Sequence, residues 1–109
     1  MVGRRRRVVW TDHARDTLNE ALAYIAQDSP DAASRIAAAL IQEAATLVTL
    51  PERGRIVPEL EDPTIRELLV RPFRLIYEVN PAEVRVLTVV HERRDTSGWK
   101  RERPPSTAG

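Results

Sequence analysis

Apolar and polar residues follow first a strand-like and then a helix-like pattern at the start of the chain. Residues 8–10 form a short, apolar and β-prone segment, which predicts a first strand. From Ala14 to Ile25 the apolar positions recur every three or four residues, as they do on one face of a helix. Thr11 precedes this stretch and can cap the helix through its hydroxyl. The opening of the chain therefore predicts a strand followed directly by a helix.

A second helix is predicted directly after the first. Pro30 ends the first periodic stretch, and it also suits the first position of a new helix that Ser29 caps. Apolar residues then mark one face from Ala33 to Val48, and many of them are alanines. Because the joint is short and small side chains allow close approach, the two helices are predicted to form an antiparallel hairpin.

Three further strands are predicted in the second half of the chain. Residues 51–63 contain three prolines and a glycine and are expected to form a loop. Residues 65–70 and 73–79 alternate in the way strands do, and residues 84–90 are apolar on both faces, as in a central strand. The expected fold class is α+β with the order β-α-α-β-β-β, in which a helical hairpin covers one face of an antiparallel, four-stranded sheet. The opposite face is left partly open, and function is expected there.

Composition narrows the class of protein further. With 109 residues one domain is expected, and the lack of cysteine excludes disulfides, thiolate metal sites and a cysteine nucleophile. No apolar run is long enough for a membrane span, and no signal-peptide core follows the arginines at 4–7, so we expect a soluble, cytoplasmic protein. All but one of the 17 basic residues are arginines, which suit planar contact with carboxylate or phosphate. An anionic partner, either nucleic acid or an acidic protein segment, is therefore expected.

Several segments, taken in order, resemble the ParE-type toxins of the RelE/ParE superfamily. They are residues 9–11, 24–26 and 29–30, the loop Gly54-Arg55-Ile56-Val57-Pro58-Glu59, and the strand residues 65–70, 73–79 and 89–95. The resemblance runs from about residue 8 to residue 95, and we expect residues 1–95 to form a single RelE/ParE-like toxin domain. Residues 96–109 lie outside it as a basic C-terminal tail, whose end we expect to be flexible.

The resemblance implies the toxin of a bacterial type II toxin–antitoxin system, with a microbial RNase-like fold and a role in plasmid stabilisation. It also implies a cognate ParD-like antitoxin, a ribbon-helix-helix protein whose flexible arm wraps the toxin to form a hetero-oligomer. ParE-type toxins are linked to inhibition of DNA gyrase, whereas RelE-type toxins cut mRNA on the ribosome. The ParE-like segments favour the gyrase inhibitor. We expect no cofactor, no metal ion and no membrane partner.

The alternative is a metal-independent, ribosome-dependent endoribonuclease. RNA cleavage needs an acid, a base and cations on the phosphate, and the candidates are Glu59, Arg74 and His91. Three features weigh against it: residues 51–63 contain no lysine, Glu92 follows His91 directly, and few aromatic residues are available for stacking on a base. His91 has the alternative role of a strand-end residue that bonds only to its neighbours.

A toxin that acts by binding needs surfaces that contact its target and its antitoxin rather than catalytic groups. The candidate target-binding residues are Arg66, Arg74, His91, Arg93, Arg94 and Trp99. The candidate antitoxin-binding residues are Leu22, Ile25, Arg74 and Tyr77. Alternatives stay open for several of them, because the strand arginines can pair with Glu67 or Glu78 across the sheet and Trp99 can fold back on the core. Glu59 can equally pair with a nearby loop arginine. A third hypothesis is a plain nucleic-acid-binding module that uses the arginines at 4–7.

Overall fold

The computed structural model describes residues 5–94 and places two helices on one face of a five-stranded sheet. The elements in chain order are β1 (Arg7–Trp10), α1 (Asp12–Ala26), α2 (Pro30–Ala45), a 3₁₀ turn (Thr46–Val48), β2 (Arg55–Ile56), β3 (Ile65–Val70), β4 (Phe73–Val79) and β5 (Glu83–His91). Neighbouring strands follow the order β1-β5-β4-β3-β2. The predicted α+β class and the helical hairpin are confirmed. In the described part of the chain, no helix is long and apolar enough to cross a membrane.

The two helices begin where the sequence predicts because each has a side-chain cap. The Thr11 hydroxyl accepts the amide of Ala14 at 3.0 Å, at the start of α1. Ser29 does the same for Ala32 at 3.1 Å, and Pro30 occupies the first turn of α2. These caps satisfy amides that would otherwise lack a partner, and they fix the joint between the two helices.

The sheet differs from the predicted antiparallel, four-stranded arrangement in two ways. β1 pairs with β5 in parallel, with Val8 opposite Val84. Alternation of side chains has the same period in both kinds of pairing, so it does not report strand direction. The predicted loop 51–63 also contributes a fifth strand, β2, in which Arg55 pairs with Glu67 of β3. Two residues are too few to show a strand pattern. Strands β2 to β5 form an antiparallel meander.

The sheet separates two clusters of buried apolar residues. The larger cluster lies under the helices, and its fully buried members include Leu40, Leu47, Leu75, Tyr77, Val84 and Val86. The smaller cluster lies on the opposite face, where the loop after β2 covers the strands, and it consists of Val57, Leu60, Ile65, Ile76 and Val90. That loop therefore closes part of the face that was expected to be open, and polar groups occupy the rest.

The first helix is hydrogen-bonded to β5 close to an irregularity in the sheet. The register between β4 and β5 shifts between Ile76 and Tyr77, as at a β-bulge. Near this shift the Thr17 hydroxyl of α1 accepts the amide of Val89 at 3.0 Å. Beyond the shift β5 resumes its alternation, and this decides the face of the sheet on which His91 lies.

Candidate functional site

An open cleft of about 440 Å³ lies on the sheet face opposite the helices. It is lined by five arginines, two glutamates and one leucine, namely Arg55, Arg71, Arg74, Arg93, Arg94, Glu59, Glu92 and Leu69. We call this feature the arginine cleft. Its lining comes from β2, β3, β4, the loop after β2 and the turns after β3 and β5. The cleft therefore exists only when the whole meander has formed.

Arg74 of β4 forms the floor of the arginine cleft and is held by three neighbours. Its Nε donates to Glu67 at 2.6 Å, and its two terminal nitrogens donate to the two oxygens of Glu59 at 2.9 Å each. Nη1 also donates to the backbone carbonyl of Arg94 at 2.7 Å. Burial acts to lower the pKa of Arg74, but the hydrogen bonds and charges of Glu59 and Glu67 outweigh it and raise that pKa. Arg74 is therefore a buried, permanently charged group with most of its donors in use.

Glu67 of β3 is a buried carboxylate shared by two arginines. Its side chain is 0% exposed, and alternation along β3 places it on the cleft side of the sheet. Arg55 Nε donates to one of its oxygens at 2.5 Å, and Arg74 Nε donates to the other. A carboxylate removed from water needs such partners, because burial of an unpaired charge is strongly unfavourable. The two arginines are therefore fixed relative to each other before any ligand arrives.

The rim of the cleft is held more loosely than its floor. One terminal nitrogen of Arg71 lies 3.0 Å from each carboxylate oxygen of Glu92, and the Arg71 side chain is 74% exposed. An exposed ion pair of this kind contributes about 1 kcal/mol or less. Arg93 and Arg94 are exposed, and within residues 5–94 no acidic side chain pairs with either guanidinium. The rim arginines are therefore available to an anionic partner.

The segment before β2 is fastened to the sheet by Tyr77. The Gly54 amide donates to Tyr77 Oη at 2.8 Å, and Arg66 Nη1 donates to the Gly54 carbonyl at 2.9 Å. A Cβ at position 54 would lie 2.5 Å from the carbonyl oxygen of Glu67 and 2.6 Å from Tyr77 Oη, so only glycine fits. Burial raises the pKa of Tyr77, which keeps the hydroxyl protonated. This anchor sets the position of β2 and of the loop that follows it.

The three predicted nuclease residues are not brought together. Glu59 and Arg74 meet in the cleft, but His91 lies opposite Phe73 in the register, on the helix-facing side of the sheet, and does not line the cleft. Its ring packs edge-on against Phe73 with 6.1 Å between the ring centres, and its Nδ1 accepts the Arg93 amide at 3.2 Å. These are the contacts of a strand-end residue bonded to its neighbours. Residues 5–94 contain no group of three His, Asp or Glu side chains that could hold a metal ion.

Two of the predicted binding residues have structural positions instead. Tyr77, which is predicted to contact an antitoxin, is fully buried: its ring fills the core and its hydroxyl accepts the Gly54 amide. Arg66 pairs with Tyr77 in the register and therefore faces the helix side of the sheet, away from Arg74. The predicted target-binding arginines thus lie on two different faces, because neighbouring positions of a strand point in opposite directions.

Other predicted binding residues lie on the first helix or beyond the described part of the chain. Leu22 and Ile25 are half-buried on α1, and Tyr24, which the predicted antitoxin-binding set does not include, is 74% exposed. Trp99 and the tail after residue 94 lie outside the described residues, as do residues 1–4 of the basic start.

The sequence predicted Arg74 and Glu59 as candidate site residues, but it did not predict Glu67 as one. The pairing of Arg74 with Glu67 was one of the open alternatives and is confirmed. Glu59 was expected to meet a loop arginine as an alternative to catalysis, but its partner is Arg74 of β4. The one sequence signal for Glu67 is alternation along β3, which places it on the same face as the buried Ile65.

Comparison with known proteins identifies similar toxins of type II toxin–antitoxin systems. Residues 8–96 match the family model described as the ParE toxin of the type II toxin-antitoxin system parDE. Toxin RelE2 of Caulobacter vibrioides is 39% identical over 88 residues, which cover 80% of this chain and 96% of that protein. Y4kP of Sinorhizobium fredii is 37% identical over 89 residues, with 80% of this chain and 88% of that protein covered. A chain in a solved structure of the chromosomal ParDE TA system from P. aeruginosa shares the fold, with a TM-score of 0.65 and 24% identity over 79% of this chain and 95% of that one.

Proposed function

Because the chain belongs to the ParE toxin family of type II toxin–antitoxin systems, we propose that it inhibits DNA gyrase by binding it and that a cognate ParD-like antitoxin neutralises it. The observation that carries this proposal is the state of Arg74. Its guanidinium is buried and bound by Glu59 and Glu67, so it is a structural cation rather than one left open for a reacting phosphate. Such a toxin acts by contact, and its site of action is the cytoplasm.

The position of the candidate acid–base groups also favours binding over RNA cleavage. General acid–base catalysis requires groups within hydrogen-bond reach of the reacting atoms. Glu59 is the ion-pair partner of Arg74, and His91 lies on the other face of the sheet against Phe73. Glu92 is the remaining carboxylate that lines the cleft, and it already accepts from an arginine. Gyrase inhibition by binding requires none of these groups to transfer a proton.

The antitoxin is proposed to cover the outer surface of α1. Leu22 and Ile25 are half-buried on this helix, with Ile25 packed against the core, and Tyr24 is 74% exposed. A large exposed aromatic side chain is a typical anchor at protein interfaces. An amphipathic arm can lay its apolar face on this helix while its acidic groups meet the basic surface of the toxin. Toxin and ribbon-helix-helix antitoxin would then form a hetero-oligomer.

Induction in a host cell that lacks the antitoxin separates gyrase inhibition from mRNA cleavage. We expect a DNA-damage response and filamentous cells with intact mRNA. Rapid loss of mRNA with translational arrest would contradict the proposal. His91→Ala sharpens the comparison, since it should leave a gyrase-binding toxin active and would abolish a nuclease that depends on the histidine.

Two further variants test the proposed surfaces in the same cells. Tyr24→Ala should weaken rescue by the co-expressed antitoxin without reducing toxicity, and Asn19→Ala, at an exposed position of the same helix, is the matched control. Truncation after residue 95 removes Trp99 and should reduce toxicity. If the truncated chain is fully toxic, Trp99 does not contribute to the surface that binds the target.

A further inference from the structure

We propose that the rim of the arginine cleft binds the phosphate backbone of duplex DNA without reading its sequence. This goes beyond the proposed function, because it assigns a second ligand, duplex DNA, to a surface whose Arg93 and Arg94 are also predicted to bind the target. Arg74 takes no part, since its guanidinium is held at the floor of the cleft by two carboxylates. The residues that contact the phosphates are Arg55, Arg71, Arg93 and Arg94.

The charges of the cleft are not balanced within it. Five arginines and two glutamates form the lining, and both glutamates are already in ion pairs, Glu59 with the floor arginine and Glu92 with Arg71. Arg93 and Arg94 have no acidic side-chain partner in the part of the chain that the structure describes. A planar guanidinium donates two parallel hydrogen bonds to a phosphate, which makes arginine well suited to this ligand. A ligand with several regularly spaced negative charges would neutralise the rim.

The rim arginines are accessible while the floor stays fixed. Arg55 uses Nε for the buried Glu67 and still has 59% of its side-chain surface exposed. The Arg71 side chain of the Arg71–Glu92 pair is 74% exposed, so the pair is weak and Arg71 can exchange Glu92 for a phosphate. The buried pair at the floor does not open, because breaking it would leave an uncompensated charge. The cleft therefore offers positioned cations without rearrangement of its core.

The lining favours a duplex backbone over a single strand or an acidic peptide. None of the eight described lining residues is aromatic, so the cleft lacks the surface on which unpaired bases stack in single-strand binding. Among them only Leu69 is apolar, and one half-exposed leucine offers little to an amphipathic peptide that binds through apolar anchors. Arginine–phosphate contacts need neither kind of surface, and they carry no sequence information.

Fluorescence anisotropy of a labelled, mixed-sequence duplex, measured with the full chain over a series of salt concentrations, tests the proposal. Each phosphate contact adds about 0.9 to the slope of log affinity against log salt. Arg93→Gln/Arg94→Gln should therefore reduce that slope by about 2 and weaken binding to all sequences alike. Arg5→Gln/Arg7→Gln removes the same charge from the start of the chain and should change the slope much less. Equal losses in the two variants would overturn the proposal, since the affinity would then be generic.

Glu92→Gln is a second test whose expected result is a gain, so loss of folding cannot imitate it. It removes the acidic partner of Arg71 and should tighten duplex binding at low salt severalfold. Unchanged or weaker binding would contradict the proposal, and so would better competition by single-stranded DNA or by polyglutamate than by the duplex. Gyrase is absent from these measurements, so their failure leaves the proposed function standing. If the chain binds the duplex but does not inhibit gyrase, only the proposed function is contradicted.

Discussion

Glu59 and Arg74 form a two-pronged ion pair across the open face of the sheet, with both nitrogen–oxygen distances at 2.9 Å. The pair joins the loop after β2 to the central part of the meander. The same guanidinium also holds Glu67 of β3 and the carbonyl of Arg94 after β5. One buried cation therefore fastens three separate segments of the chain, and its replacement should affect the stability of the fold.

Replacing Arg74 by methionine should lower the free energy of unfolding by about 3 kcal/mol or more, because Glu67 stays buried with one partner fewer. Glu59→Gln keeps the shape of the side chain and one acceptor, and it should lower that free energy by about 1 kcal/mol. Urea unfolding followed by circular dichroism measures both. Equal losses for the two variants would show that the buried Glu67 charge is not the cause.

Gly54→Ala should destabilise the chain by about 1–3 kcal/mol, because its Cβ meets the Glu67 carbonyl oxygen, a backbone atom that cannot move aside freely. Ser34→Ala on the exposed surface of α2 is the control and should change the stability by about 0.5 kcal/mol or less. Thermal and urea unfolding of the two variants make the comparison. A Gly54→Ala chain as stable as the control would contradict the close approach seen here.

Tyr77→Phe removes the hydroxyl to which the Gly54 amide donates and leaves the ring in the core. The buried amide would lose its partner, so the free energy of unfolding should fall by about 1–3 kcal/mol. Tyr24→Phe, at an exposed position of α1, should have no measurable effect on stability. Hydrogen exchange of the Gly54 amide gives a local readout, and continued strong protection in Tyr77→Phe would argue against the bond.

Acidification should lower the free energy of unfolding because the Glu83 carboxylate becomes protonated. Arg85 donates a hydrogen bond to the Glu83 carboxylate at 2.8 Å, and this lowers the pKa of Glu83 below its ordinary value. A carboxyl group with a lowered pKa in the folded state stabilises that state fully above its unfolded pKa, and the contribution is lost as the pH falls through the folded pKa. The free energy of unfolding should therefore decline below roughly pH 4.

Urea midpoints measured over a series of acidic pH values test the role of Glu83. The glutamine of Glu83→Gln cannot take up a proton in this range, so the stability of this variant should depend less on pH than that of the natural chain. The same acid dependence in both proteins would assign the effect to other carboxylates.

The helical hairpin could be predicted because its signals are local in the sequence. Thr11 and Ser29 cap the helices within three residues of their partners, and Pro30 both ends one helix and starts the next. The alternation of β3 and β4 was equally local. These features follow from backbone geometry and need no knowledge of distant contacts.

The arginine cleft was harder to predict because its contacts join distant parts of the chain. The choice of Glu59 between loop arginines and Arg74 depends on how the loop after β2 folds over the sheet. The face on which His91 lies depends on the register shift between β4 and β5, which a strand apolar on both faces does not reveal. Local patterns therefore identified the arginines and not the face on which each one lies.

Supercoiling of plasmid DNA by purified gyrase, with and without the purified chain, tests most directly whether this toxin acts by binding. We predict that the chain abolishes supercoiling, that added antitoxin restores it, and that ribosome-bound mRNA stays uncut at the same toxin concentration. Cleaved mRNA together with undiminished supercoiling would contradict the account.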